Sequence, residues 1–217
     1  MNPALIELII LAGIAVFLFL RLRSVLGTRE GFEKPRMQPK NDAPKRDFKV
    51  IDGGEDKDIT DNVEKNSKSA KALKNIKEKD ETFTVNEFLS GARSAYEWIL
   101  MSFEKNEIDD IRELLSEEVA EAFDSVVEQR ISKGLTIEAE FIGVREMKLV
   151  DASYNSKTNT AEIAVSFIGE MTSVVKNSSG EIVEGDSKQI KRQKDTWTFS
   201  KDILSDNPNW ILVATGE

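Results

Sequence analysis

The side chains of this chain that could do chemistry are mostly carboxylates. The sequence contains no cysteine and no histidine, which excludes disulfides, catalysis by cysteine or histidine, and zinc sites made from those ligands. A carboxylate enzyme would need one acid in an apolar pocket, where burial raises its pKa. Asp195, two residues before Trp197, is the nearest candidate. It is either such a pocket acid or the ion-pair partner of a Lys or Arg on a neighbouring strand.

The other acidic groups have structural explanations. Asp109–Asp110 and Glu117–Glu118 stand where helices are predicted to begin, and the helix dipole favours carboxylates there. Glu138 and Glu140 lie on the polar face of a predicted strand. The stretch 52–58 is acidic but lacks the ligand spacing of a calcium loop. We therefore predict no catalytic residue, cofactor or metal ion, and we do not expect an enzyme.

Two of the three tryptophans lie in a predicted β-hairpin near the C-terminus. From Gln189 to Phe199, alternate residues form a face that is polar at its start and aromatic at its end. Turn residues at 205–209 then lead into the apolar run Trp210–Ala214, which is too short for a stable helix.

These two strands resemble the end of the Tim44-like (TimA-type) domain family, which is named for the import-motor anchor of mitochondria. The matching runs are Arg192-Gln-Lys-Asp195-Thr-Trp197-Thr-Phe199 and Asp206-Asn-Pro208-Asn-Trp210-Ile-Leu212-Val-Ala-Thr. The resemblance covers residues 83–217, and the N-terminal segment is similar to that of bacterial members. It implies a cone-like fold of the nuclear-transport-factor-two-like type. It also implies contact with the bilayer and a chaperone, translocase or ribosome as partner, although the chaperone-binding segments of mitochondrial members have no match here.

Sequence periodicity predicts an α+β domain over residues 83–217. Three helices are expected first. Thr84 and Glu87 form a capping box at the start of the first helix, and Ser116 caps the third, whose apolar face is Val119, Phe123, Val126, Val127 and Ile131. About four antiparallel strands follow, with helices on one face of a curved sheet. Gly143 and Gly169 are expected at bends or bulges.

Residues 1–22 form a predicted transmembrane anchor. Apart from Glu7, the run from Pro3 to Leu20 is apolar and would span roughly 27 Å as a helix, close to the thickness of a bilayer core. Arginines follow the run, so the C-terminal side is expected in the cytoplasm. The resemblance to bacterial members implies that the membrane is a bacterial inner membrane. A buried helix of a soluble protein is the alternative. The predicted anchor residues are Leu5, Leu8, Leu11, Val16, Phe17, Phe19, Leu20, Arg21 and Arg23.

Residues 23–82 are predicted to be a charged, flexible tether. Their prolines, dense mixed charge and few aromatic residues provide too little apolar surface to offset the entropy of folding. Lysines at every third position between residues 61 and 79 suggest a segment that becomes helical on binding a partner or a membrane.

Large aromatic residues are the candidates for binding. Eight of them fall on predicted apolar faces and would either line a ligand pocket at the open end of the cone or simply fill the core: Tyr96, Phe103, Phe123, Phe141, Phe167, Trp197, Phe199 and Trp210. Trp98 lies off the apolar face of its helix and is a candidate partner surface or a contact at the rim of the domain.

These features predict a membrane-anchored, non-enzymatic adaptor that docks a protein partner such as a chaperone, a translocase or a membrane-protein biogenesis factor. A pocket protein for a small molecule or lipid is the alternative. Residues 83–217 carry 14 basic and 25 acidic side chains, so their field opposes binding to nucleic acid. Inner-membrane lipid is an expected contact, and a free sheet edge would also allow a homo-oligomer.

Overall fold

The computed structural model describes residues 56–216 and shows an α+β fold. The helices are α1 (Lys57–Thr60), α2 (Lys68–Lys79), α3 (Val85–Lys105), a 3-10 helix (Ile108–Leu114) and α4 (Glu117–Ser132). The strands are β1 (Thr136–Asn155), β2 (Thr160–Lys176), β3 (Ile182–Asp202) and β4 (Ile211–Gly216), which form one open antiparallel sheet in the order β1-β2-β3-β4.

The predicted anchor, 1–22, and the predicted tether as far as residue 55 lie outside the described residues. Within 56–216, no helix is both long enough and apolar enough to cross a bilayer.

The structure corrects the predicted tether over residues 56–82. This segment is folded: Ile59, Leu73 and Ile76 are each no more than 1% exposed and belong to the core. Helix α2 begins at the N-cap Ser67 and packs against β1. Its buried face is completed by small side chains, Ala70 and Ala72, which a count of large apolar residues overlooks. The helix packs against its own domain, whereas the prediction was a segment that becomes helical on binding a partner or a membrane.

The first predicted helix of the domain begins as expected. The N–H of Glu87 donates to Thr84 Oγ1 at 3.1 Å, and the Thr84 hydroxyl donates to a carboxylate oxygen of Glu87 at 3.0 Å. The rings of Phe83 and Phe88 lie 6.4 Å apart across this cap, and Trp210 packs on both. Helix α3 ends at Asn106, whose φ of 62° is left-handed.

The predicted second helix is a 3-10 helix, and α4 differs from its prediction on one side. Ser116 caps α4 through the N–H of Val119, as expected. Val119 and Val127 are buried, but Val126 and Ile131 are 39% and 63% exposed. Neither of them lies on the buried face, because α4 packs through a narrow stripe instead of the wide apolar face that was predicted.

The sheet has one buried face, and β2 runs through its centre. The buried residues of β2 alternate along the strand: Ala161, Ile163, Val165, Phe167, Gly169 and Met171. Strand β1 does not keep a single alternation, because its register with β2 shifts at three places. One of these bulges lies between Phe141 and Gly143, which confirms the predicted irregularity at that glycine.

Candidate functional site

Four of the eight aromatic candidates fill the centre of the domain. Tyr96, Phe167, Trp197 and Phe199 are each at most 4% exposed. Tyr96 stacks on Phe167 with ring centroids 4.4 Å apart and contacts Trp197 at 4.7 Å. These rings occupy the space between α3 and the sheet, which favours the core-filling interpretation over a pocket.

The other four aromatic candidates are half-buried and lie around this centre. Phe141 packs on Tyr96, and Trp210 packs on Phe88 at 4.7 Å. Phe103 and Phe123 join α3 to α4 with centroids 4.5 Å apart. In the described part of the chain, two prominent cavities are found, and none of the eight rings lines either of them.

Asp195 is a polar group within this aromatic core. Its side chain is bonded on both oxygens: the Tyr96 hydroxyl donates to Oδ2 at 2.6 Å, and Gln193 Nε2 donates to Oδ1 at 3.1 Å. Burial, and after it the hydrogen bond to Asp195, raises the pKa of Tyr96, so the hydroxyl stays protonated and remains a donor. Asp195 therefore serves to hold α3 against β3, which neither alternative from the sequence had named.

Gly169 makes this contact possible. A Cβ on Gly169 would lie 2.6 Å from the Tyr96 hydroxyl oxygen, so only glycine leaves room for the phenol. The register of β2 with β3 is regular on both sides of Gly169, but its register with β1 shifts between Gly169, opposite Val144, and Ile168, opposite Glu146. The irregularity expected at Gly169 is therefore confirmed. The close approach of a ring explains this glycine.

A second buried polar contact joins the ends of α3 and α4. Arg130 Nη1 donates to the Phe103 carbonyl at 2.9 Å, its guanidinium carbon lies 4.3 Å from the centre of the Phe103 ring, and its Nη2 lies 3.6 Å from Glu104. Burial raises the pKa of the Glu104 carboxyl, against the opposing effect of the positive charges of Arg130 and Lys191. The arrangement is an interhelical clamp.

Trp98 projects from the opposite side of α3. It is 53% exposed, whereas Ile99, the next residue, is completely buried. Gly91 and Ser94 precede it on the same helix face, and both are small and exposed. The indole is thus accessible, as the sequence pattern indicated, and its role as a partner surface remains a prediction.

Sequence reasoning missed a carboxylate that fastens α1 to α3. Asp58 accepts hydrogen bonds from the N–H groups of Val85 and Asn86 at 2.8 and 3.0 Å. Lys77 Nζ lies 2.7 Å from Asp56 and 2.8 Å from Asp58. Burial alone would raise the pKa of Asp58, but the bonds from Lys77 and the two N–H groups outweigh it and lower the pKa.

The two cavities lie beside this contact, between α1 and α2. The larger has a volume of about 250 Å³ and is lined by Asp56, Ile59, Lys74, Lys77 and Glu78. Its two carboxylates and two lysines include the Asp56–Lys77 ion pair, so much of the lining charge is already neutralised within the chain. The acidic stretch 52–58 thus supplies ion-pair partners for Lys77 through Asp56 and Asp58.

Helices α2 and α3 also reach the free edge of β1. Ser69 Oγ accepts a hydrogen bond from the N–H of Ala152 at 3.2 Å and donates to Asp151 at 2.8 Å. Arg93 Nη1 donates to the carbonyl oxygen of Val144 at 3.4 Å. Two backbone groups that this edge strand would present to another chain, the Val144 carbonyl and the Ala152 N–H, are satisfied here by side chains.

Comparison with known proteins identifies the domain. The sequence model of the Tim44-like domain family matches residues 69–217, so the match includes helix α2. Among solved structures, the chain resembles the crystal structure of the intermembrane space region of chloroplast protein ARC6, with a TM-score of 0.40 and 8% identity over 59% of this chain and 94% of that chain. No curated protein sequence matches the chain. The family match covers more than half of the chain, and the chain therefore belongs to the Tim44-like domain family.

Proposed function

We propose that this protein is a membrane-anchored, non-enzymatic adaptor that docks a protein partner at the cytoplasmic face of a bacterial inner membrane. The Tim44-like family in general docks protein partners at membranes and is not catalytic. The partner is a component of a chaperone, translocase or membrane-protein biogenesis system, and residues 1–22 are the anchor in inner-membrane lipid.

One observation supports docking more than any other. The rings that could have lined a ligand pocket pack on one another, while among residues 56–216 one large aromatic residue, Trp98, is more than half exposed. An exposed tryptophan with small neighbours is typical of the anchor residues that dominate protein interfaces. The buried carboxylates support the same proposal, because Asp195 and Glu104 contribute to contacts between elements.

Tethering alone allows such a protein to act without catalysis. An anchor confines the domain to a thin layer at the membrane and raises the effective concentration of whatever the domain binds. Because the folded domain includes α1 and α2, the predicted tether is limited to residues 23–55.

Photocrosslinking in native membranes tests the proposal. A photoreactive phenylalanine derivative replaces Trp98 in the full-length chain, and a matched variant carries it at Leu204, which is 63% exposed in the β3–β4 turn. We expect a discrete protein adduct from position 98 that position 204 does not give. Capture of lipid alone would favour the pocket protein, and equal labelling at both positions would contradict docking at Trp98.

A further inference from the structure

At the C-terminal edge of the sheet, the first two thirds of β3 have no neighbour on the side where β4 pairs. Strand β4 pairs with β3 only from Thr196 to Ser200, and its last pair joins Gly216 to Thr196. From Ile182 to Asp195, β3 has β2 on one side and no strand on the other among the residues described. A further strand in line with β4 would pair with Lys191–Asp195, so this part of β3 is available for strand addition.

This free edge is basic, although the domain is acidic. Residues 187–194 include four cations, Lys188, Lys191, Arg192 and Lys194, and no carboxylate. Arg192 forms an ion pair with Glu170, which also pairs with Arg145, so these three side chains together carry a net positive charge. Within 56–216, none of the three lysines forms an ion pair, although the positive charge of Lys191 acts on the Glu104 carboxyl and that of Lys194 on the Glu146 carboxyl. The positive charge that these two carboxyls do not offset is available to a negative partner.

The edge also offers apolar surface and a defined length. Ile190, Ile182 and Val183 are each more than half exposed. The register of β3 with β2 shifts between the partners Lys191 and Asp186, so a bulge ends the regular ladder there. Strand addition is consequently limited to the short regular stretch Lys191–Asp195.

The positive charge of this edge also determines which strands can pair with it. A second copy would bring its own lysines against these, and like charges across a strand pair are destabilising. Lysines and bulges on edge strands discourage pairing with neutral or basic strands, whereas glutamates or aspartates on an incoming strand would lie beside opposite charges.

We propose that the free edge of β3 at Lys191–Asp195 binds an extended, acidic peptide segment of a partner protein, which adds to the sheet as an antiparallel strand in line with β4. Backbone hydrogen bonds would supply the affinity, and the lysines would supply the selection. This inference rests on the proposed adaptor function and assigns it a docking edge distinct from Trp98.

A labelled model peptide tests the charge. The probe is a fluorescently labelled peptide in which Glu and Val alternate. It has about ten residues, within the range of ordinary strand lengths. The full-length chain in nonionic detergent is titrated into it, and binding is followed by fluorescence anisotropy. We expect saturable binding that Lys191→Glu with Lys194→Glu weakens by roughly tenfold or more. The matched control, Lys71→Glu with Lys74→Glu on α2, should bind as the wild type does. Equal binding of a Lys-Val peptide would overturn the proposal.

A modified backbone separates strand addition from simple charge attraction. The same acidic peptide with alternate amides N-methylated keeps its charge but cannot complete a ladder of hydrogen bonds. Loss of its binding supports the proposal, and unchanged binding overturns it. Binding of polyuridine or anionic vesicles through Lys191 and Lys194, without binding of the acidic peptide, would also overturn it. Partner capture at Trp98 that persists in the double lysine variant would then leave the adaptor function intact.

Discussion

The two free edges of the sheet are protected in different ways. At β1, helices α2 and α3 pack against the strand, and Ser69 and Arg93 bond to two of its backbone groups. At β3, the exposed stretch before Asp195 has only lysines and a bulge beside it. Covering an edge removes it from use, whereas charging an edge leaves it open to a partner of opposite charge. This difference is why we propose strand addition at the β3 edge and not at the β1 edge.

Truncating Leu73 would weaken the packing of α2 against β1. This side chain is completely buried in α2, so Leu73→Ala should lower the free energy of unfolding by about 2–5 kcal/mol. Urea denaturation of the full-length protein measures the effect, with the exposed neighbour substitution Lys71→Ala as control. If both variants unfold at the wild-type midpoint, α2 is not part of the domain.

Removing the Tyr96 hydroxyl tests the contact that holds β3 where its open edge begins. Tyr96→Phe keeps the ring but takes one hydrogen bond from the buried carboxylate of Asp195. We expect a loss of about 1–3 kcal/mol. Tyr154→Phe removes a hydroxyl bonded to Asn159 at the half-buried end of β1 and should cost less. Equal losses would argue against a special role for the Tyr96–Asp195 pair.

Substitution of Asp58 tests how α1 is held against the start of α3. Asp58→Ala removes the acceptor for two N–H groups at the start of α3 and one partner of Lys77. By analogy with helix caps, the expected loss is about 1–2 kcal/mol. Asp61→Ala, an exposed acid at the end of α1, is the control and should have little effect.

The stabilities of the wild type and Asp58→Ala are also expected to depend differently on pH. Folding lowers the pKa of Asp58 from its ordinary value of 3.8, so its carboxylate stabilises the fold above that value and stops doing so as the pH falls through the lowered pKa. The difference in unfolding free energy between wild type and Asp58→Ala should therefore be full near neutral pH and shrink in acid. A difference that grew as the pH fell would contradict the assignment.

Ser69→Ala gives the smallest expected effect. It removes the acceptor of the Ala152 N–H at the β1 edge, at a cost of about 0.5–1.5 kcal/mol. Ser125→Ala, on the exposed side of α4, is the matched control. If the two substitutions lower the free energy of unfolding equally, the N–H of Ala152 finds another acceptor. The protection of the β1 edge would then not depend on Ser69.

Local signals in the sequence predicted local structure well. The caps at Thr84 and Ser116 are both confirmed, because each depends on residues close together in the chain. The gradient along β3 from polar Gln193 to aromatic Phe199 also follows from alternation alone.

Contacts between distant segments could not be read in the same way. The buried face of α2 consists largely of alanine and serine, so its composition resembles that of a linker. Asp58 bonds to the start of α3, and Gly169 makes room for Tyr96, which lies on another element. Of the candidate site, alternation indicated that Asp195 faces inward, but its hydrogen bond to Tyr96 needed the packing of α3 on the sheet.

Amide hydrogen exchange of the full-length protein tests the difference between the two edges most directly. We predict that edge-facing amides of β3 between Ile182 and Lys194 exchange quickly, and that the amide of Ala152 in β1 exchanges slowly because Ser69 accepts its hydrogen bond. Addition of the acidic peptide should slow exchange at Lys191–Asp195 alone. Slow exchange along the whole free part of β3 before any peptide is added, or fast exchange at Ala152, would contradict the account.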